Sequence, residues 1–411
     1  MSTHNAERRL SAARQTAKMI GRESEWQQLR DALEPGGAFR VVLVRGRGGI
    51  GKTRLLEELQ RDLGVDPDDN NDPDLSEPAL PADTGAVVIS NIIDVIDARL
   101  HDRYRFLSAL RTGLLRYRAT VNFDGFNSKR GEVENLLASG ALLGTLSRTQ
   151  EELAQAFVDD LKVITQQRRI VFLIDTVERL SYPGFDWLLD ENLLLTSDLE
   201  IRTHQWLQSF IKSGLQNVTL VLAGRDRVYD EPEGERFFGR IKQAIEKAVS
   251  DGVPVELVDI DLKPLSDDET RLYLVQLAEE WSQLGSEYSA RAETFRQTAD
   301  PAHNRFRTLR LLTGGIPVRL ALYAQVIAEG QEIPRPLKLP YTKVCQQAGV
   351  TPEDLAADFD TWVADKPALQ LLQWDVEEEF IRLLFSNPDD LRQRLLRALV
   401  RAPRGLTAKQ L

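Results

Sequence analysis

Cysteine is nearly absent. Cys345 is the only one in 411 residues, which excludes an intrachain disulfide, and nothing in the chain has the spacing of a zinc site. Such thiol poverty fits a reducing cytosol. Long apolar runs are missing as well. Met1 to Lys18 is polar, without the apolar core of a signal peptide, and no later run is long enough to cross a bilayer. Arg8, Arg9 and Arg14 read as a solvated helical lead-in rather than a transit peptide. These absences predict a soluble, cytoplasmic protein with no membrane partner. Basic residues are also in deficit, 52 Lys and Arg against 63 Asp and Glu, for a formal net charge of -11. The surface as a whole is therefore not built to attract nucleic acid, and DNA is an unlikely partner, although a local basic patch is compatible with the balance.

What is present is concentrated in one run, Gly46-Arg47-Gly48-Gly49-Ile50-Gly51-Lys52-Thr53, directly after the apolar stretch Val41 to Val44. A polyphosphate needs several backbone N–H groups converging from one side, and glycines at 46, 48, 49 and 51 allow the chain to supply them. Lys52 brings an ammonium to the β- and γ-phosphates, and Thr53 offers a hydroxyl to Mg²⁺. The helix that begins here, through Arg54, Leu55, Leu56 and Leu59, aims its positive end at the anion. The nucleotide-contacting residues of this stretch are thus Gly46, Gly48, Gly49, Ile50, Gly51, Lys52, Thr53 and Arg54, and ATP or ADP with Mg²⁺ is the expected cofactor.

Runs rich in β-branched residues recur at Arg40 to Val44, Ala86 to Ser90, Ile170 to Ile174, Val218 to Ala223 and Val255 to Ile260, with helical patterns between them. That alternation predicts an α/β fold, a parallel sheet of about five strands with helices on both faces. Asp66 to Pro81, dense in Asp, Asn and Pro, reads as a mobile surface loop. Between Leu107 and Leu161 helical patterns are interrupted by Asn122 to Gly131, read as a loop or insert without a functional signal. After Leu262 the strand signal stops and helices take over, at Thr270 to Leu284, Ala290 to Ala299, Arg305 to Thr313 and Pro317 to Glu329. Prolines between Ile333 and Pro340 mark a linker or turn. Helices follow at Pro352 to Val363, Val376 to Phe385 and Asp389 to Arg401. The domains expected are 1–262, binding nucleotide; 263–345, a helical lid; and 346–411, helical, leading into a partial winged helix.

Two carboxylates and an arginine complete the site. Ile170 to Ile174 is a buried strand delivering Asp175 at its carboxyl end, where ligands gather in open α/β sheets. Beside a phosphate loop, Asp175 reads as the residue that holds Mg²⁺ through its water shell. Glu178 has two readings, a carboxylate that orients or deprotonates the attacking water, or a solvated residue opening a helix. Arg225 ends the strand Val218 to Ala223 and is placed to read the γ-phosphate, its alternative being a surface loop arginine.

Several spaced motifs together resemble the STAND class of P-loop ATPases, which includes NACHT and apoptosome-type switch proteins and is related to AAA+ ATPases. They are Ile20-Gly21-Arg22-Glu23 with Glu25 and Leu29, the phosphate loop GRGGIGKT, Asp175 with Glu178, Leu222-Ala223-Gly224-Arg225, Leu262-Lys263-Pro264-Leu265, and Gly315-Ile316-Pro317. The resemblance implies that Gly21 and Arg22 lie beside the adenine end of the nucleotide and that Pro317 opens a lid helix near it. It implies a slow, regulatory ATPase, ADP-bound when off and ATP-Mg²⁺-bound when on, that self-associates on activation and answers to a protein trigger or effector. The relatives' later histidine, which contacts the β-phosphate of ADP, has no counterpart among His4, His101, His204 and His303. One alternative is an AAA+ initiator-like DNA-binding ATPase, supported by Arg392, Arg394, Arg397, Arg401 and Arg404 and by Arg319 as a lid-borne phosphate sensor. Another is a nucleotide-stabilised scaffold without turnover.

Overall fold

The computed structural model describes residues 19–34, 37–65, 87–114, 121–140, 143–181, 203–225, 235–328, 330–351 and 366–384. The readings of 66–81, 352–363, 389–401 and the later part of the winged helix lie outside them. Two compact units emerge. One comprises Ser24–Arg47 and Lys52–Leu262, and the other comprises the described residues of Met1–Glu23, Gly48–Gly51 and Lys263–Leu411.

In the first unit, α1 (Glu23–Asp31) leads into β1 (Phe39–Arg45) and α2 (Lys52–Asp62). There follow β2 (Val87–Asp94), α3 (Arg103–Thr112), α4 (Asp124–Ser139), α5 (Leu143–Ile164) and β3 (Arg169–Asp175). The unit closes with α6 (Thr203–Lys212), β4 (Val218–Gly224), α7 (Glu235–Ser250) and β5 (Val255–Asp261). The five strands form one parallel sheet in the order β2-β3-β4-β1-β5. All five had been legible as β-branched runs. The central strands β3 and β4 are buried at every residue, which requires cover on both faces.

Side-chain alternation divides that cover. Val41, Leu43, Phe172, Ile174, Leu220 and Leu222 share one core with an aromatic cluster centred on Phe157. Phe157 stacks on Phe123 at 5.4 Å between ring centroids and meets Trp206 edge-on at 6.0 Å. Val42, Val44, Val171, Leu173 and Val221 point the other way and are equally buried, and α2 packs against β2, β3 and β4. Each such side chain contributes about 1.5–3 kcal/mol by burial.

Among the described residues, the regular structure of the second unit beyond residue 263 is all helix. It contains α8 (Asp267–Gln283), α9 (Ser289–Thr298), α10 (Asn304–Thr313), α11 (Pro317–Ala328), α12 (Arg335–Lys338), α13 (Tyr341–Ala348) and α14 (Pro367–Leu384). Ser266 opens α8 with a reciprocal capping box to Glu269, and Pro317 occupies the first position of α11, where its missing N–H costs nothing. A core of its own, with Leu274, Phe295, Leu309, Tyr323, Val344 and Phe380, holds these helices together.

Three expectations are corrected. Asn122 to Gly131 is not a loop, because helix α4 runs through Asp124–Ser139. Its first turn is stabilised from outside its own sequence, where the Asp160 carboxylate on α5 accepts the Phe126 N–H at 2.8 Å. The proline-rich turn contains the short helix α12, anchored by buried Leu337. Helix α14 begins at Pro367, well before Val376, because Leu369 and Gln373 are already buried in the helical core.

Candidate functional site

In the sheet unit, the site is assembled at the carboxyl ends of β1, β3 and β4. Lys52 opens α2 and is almost fully buried. Its ammonium donates to the carbonyls of Gly46 and Arg47, both at 2.9 Å, so the loop holds the lysine in place. The next residue, Thr53, donates from its hydroxyl to Asp175 Oδ2 at 2.5 Å. Asp175 Oδ1 accepts the N–H of Thr176, a residue held at φ 61°, so both carboxylate oxygens are oriented by neighbours. Burial pushes the Asp175 carboxyl above its ordinary value, and the hydrogen bond from Thr53 opposes that shift.

Glu178 lies in a 3₁₀ turn, Val177–Ser181, and is only 5 % exposed. It is therefore not the solvated residue of the second reading. Its Oε2 accepts the backbone N–H of Arg225 at 3.0 Å, and its Oε1 lies 3.6 Å from the Arg225 Nε. Burial raises its carboxyl too, and those contacts with Arg225 restrain the shift. Arg225 is half exposed and is held at Glu178 both by its backbone N–H and by its Nε. Arg54 turns along α2, 3.6 Å from Glu57 and 3.5 Å from Glu58.

The other sequence-selected residues belong to the helical unit. Gly21 sits at φ 67° against the Glu269 side chain. The Arg22 guanidinium is buried and donates to the carbonyls of Lys263 and Ile50, the latter at 3.4 Å. Gly48, Gly49, Ile50 and Gly51 group with this unit. The Val318 N–H, one residue after Pro317, donates to Gly49 O at 3.2 Å, and a Cβ at Gly49 would run into the Val318 side chain. The start of the GxP helix thus rests on the phosphate-loop backbone, and only glycine at 49, with φ 72°, permits the approach.

Sequence reasoning missed what anchors Arg319. Its Nε donates to Glu377 Oε2 and its NH1 to Gln373 Oε1, both at 2.9 Å, while Gln373 Nε2 donates to the Leu311 carbonyl at 2.8 Å. Glu377 and Gln373 stand on α14, far along the chain, and no local pattern marks them.

Hard oxygen donors suit Mg²⁺, which keeps several waters and takes few protein ligands. The Thr53 hydroxyl and the Asp175 carboxylate meet that description at one spot, so an Mg²⁺ ion fits there. A triphosphate fits the loop, where Gly46, Gly49 and Gly51 all adopt positive φ and nothing lies within 4 Å of a Cβ built on Gly51. Among the described residues there is no cluster of three or more His, Cys, Asp or Glu that could hold a metal, nor a helix long and apolar enough to cross a membrane.

A parallel sheet whose first strand runs into this loop and whose third ends in Asp175 defines a P-loop nucleoside triphosphatase. Residues 18–199 match the family described as AAA ATPase domain. Over that span, less than half of the chain, the sequence is that of an AAA-type P-loop ATPase domain, and this supports classing the protein as an ATP-hydrolysing enzyme. The match supports the AAA+ side of the resemblance and does not single out the STAND subclass. No curated protein matches. Solved structures similar to this chain include one titled "Structure of Drosophila ORC bound to DNA", 14% identical, covering 95% of this chain and 84% of that one, with a TM-score of 0.33.

That structure corrects one expectation. DNA was set aside as a partner chiefly on the acidic balance, and a similar structure is titled as a complex with DNA. The physical fault in the exclusion is that a charge of -11 is a sum over the chain and does not describe any one face of it. A TM-score of 0.33 carries no argument about this chain's own ligand, so the correction removes an exclusion and adds no assignment.

Proposed function

We propose that this protein is a slow, regulatory ATPase in which Mg²⁺-ATP bound at the phosphate loop is hydrolysed with Lys52, Thr53, Asp175 and Glu178, and in which the helical unit reports the nucleotide state. The observation that carries the reading is the contact of Val318 with Gly49. A loop that shifts to accept phosphates moves the start of α11, and Arg319 on the next turn position ties α11 to α14. A ligand shifts a conformational equilibrium only through contacts that differ between its states, and this path supplies such contacts.

In this reading Lys52 neutralises the β- and γ-phosphates. Thr53 and Asp175 hold the Mg²⁺ and its waters, which supplies charge stabilisation to the transferred phosphoryl group when bound. Glu178 accepts the proton of the attacking water. Its contact with Arg225 restrains it until the arginine turns to the γ-phosphate. Gly21 and Arg22 border the adenine end, and Pro317 fixes the lid helix. A single buried thiol fits a cytoplasmic setting.

Two outputs follow from such a switch. The AAA ATPase domain match fits an initiator-like ATPase that engages DNA as well as a STAND core that controls oligomerisation or an effector. The deciding experiment measures retention of duplex DNA by the purified chain with ATP, with ADP and without nucleotide, at several salt concentrations. Nucleotide-dependent retention supports the initiator reading. Nucleotide-dependent self-association without retention supports the signalling core. Hydrolysis with neither leaves the ATPase but removes both outputs, and failure to bind nucleotide at all removes the proposal.

A further inference from the structure

The segment between β2 and β3 offered no functional signal in the sequence, yet it borders an open pocket of about 440 Å³. Its walls come from the turn after β2, from α3 and from α4. Leu100 and the Tyr104 ring supply an apolar side, and Arg99, Arg105 and Arg130 bring three guanidiniums to the same space. Two carboxylates answer them. Asp97 takes Arg99 in a two-pronged contact, at 2.6 and 3.0 Å, and Glu134 accepts the Tyr104 hydroxyl at 3.0 Å with Arg130 at 3.4 Å. Three cations against two anions leave an excess of one positive charge in a chain whose total is -11.

The excess is localised. Among the described residues the half-buried Arg105 side chain has no ion pair or hydrogen bond, and the same holds for Arg111 two turns along α3. Burial, with the positive charge of Arg130 added, weakens the hold of Arg111 on its proton. Ser108 lies between Arg105 and Arg111, three residues from each and so a neighbour of both on the helix surface. It lines the pocket, and its Oγ is enclosed without a hydrogen-bond partner. A helical serine ordinarily bonds back to the carbonyl one turn earlier, and a hydroxyl left out of that arrangement costs about 1–3 kcal/mol. Burial and Glu134 push the Tyr104 hydroxyl up to about 12, so it remains a donor at any physiological pH.

Like charges that outnumber their counter-charges are stabilised by an anion that enters between them, and guanidiniums match phosphate oxygens in pairs. We infer that the pocket between α3 and α4 is a binding site for a small phosphomonoester, held by Arg105 and Arg130 beside Ser108, with the positive charge of Arg111 one turn further along α3 adding to the attraction. A free ligand suits it better than a polymer backbone, because the space is concave and within the range of roughly 300–1,000 Å³ that small molecules occupy. The site is built from the turn after β2, α3 and α4 and uses none of the phosphate-loop residues.

The test uses the full chain carrying Lys52→Ala, so that the phosphate loop does not contribute. Equilibrium dialysis with radiolabelled glycerol 3-phosphate is compared for this chain and for versions that add Arg105→Glu, Arg111→Glu or the exposed control Lys212→Glu, with inorganic phosphate and duplex DNA as competitors. The expected result is saturable binding that inorganic phosphate displaces, weakened about tenfold or more by either arginine change and unaltered by the control. Circular dichroism and a melting curve confirm that each variant is folded, and Arg105→Gln, which keeps size and polarity, gives the same ranking. Absence of saturable binding, binding indifferent to both arginine changes, or displacement by duplex DNA but not by inorganic phosphate overturns the inference.

Discussion

At the scale of single residues, the buried pair of Lys52 and Glu178 divides binding from chemistry. Lys52→Ala removes the one ammonium held at the loop by two carbonyls. We expect ATP affinity to fall about a hundredfold or more, measured by calorimetry; undiminished affinity contradicts the loop's role. Glu178→Gln keeps the shape and the bond from Arg225 N–H but loses the base. ATP binding should stay within about threefold while turnover drops about a hundredfold or more. Turnover that survives unchanged assigns the water to another group.

The same carboxyl makes a prediction about stability. Burial raises its folded-state value above the ordinary 4.5, so the native state binds more protons than the unfolded chain in the window above that value. Stability is then lost as pH rises through the window, and a glutamine escapes the loss. The melting temperature of Glu178→Gln relative to the unaltered apo-protein should therefore climb with pH above 4.5 and converge with it on acidification. A difference that does not vary with pH, or that varies in the opposite sense, shows that the carboxylate is not paying for its burial.

At the scale of elements, the link between α11 and α14 is the testable joint. The Arg319 and Glu377 side chains are only 11% and 20% exposed, so removing one leaves the other poorly solvated. Glu377→Gln should cost about 1–2 kcal/mol in urea unfolding and speed hydrogen exchange in Pro367–Leu384 without altering the sheet. Unchanged exchange in α14 shows that the pair does not secure it. The inner strands β1, β3 and β4 were legible because parallel strands buried on both faces read as nearly unbroken apolar, β-branched runs. Helix α4 was not, because Asn122, Gly125, Asn127 and Gly131 carry a turn's composition and the cap that rescues it, Asp160, is far away in sequence. The residues of the candidate site could be picked out where chemistry demands local spacing, as in Gly46 to Thr53. What escaped was tertiary: the burial of Glu178, the hold of Gln373 and Glu377 on Arg319, and the arginines gathered on α3 and α4.

At the scale of the whole molecule, ligand binding and stability are linked by mass action. A nucleotide present at about a hundred times its dissociation constant adds about 2.7 kcal/mol to the state that binds it. Saturating Mg²⁺-ATP should raise the melting temperature of the unaltered chain and leave that of Lys52→Ala where it was; an equal rise in both places the nucleotide elsewhere. The most direct measurement is a single-turnover assay with γ-labelled ATP on the purified chain, with and without Mg²⁺, beside Lys52→Ala and Glu178→Gln. The expected result is slow, Mg²⁺-dependent release of labelled phosphate by the unaltered chain, none by Lys52→Ala, and bound but unhydrolysed ATP on Glu178→Gln. Release that persists in Lys52→Ala, or no release by the unaltered chain despite bound Mg²⁺-ATP, contradicts the account.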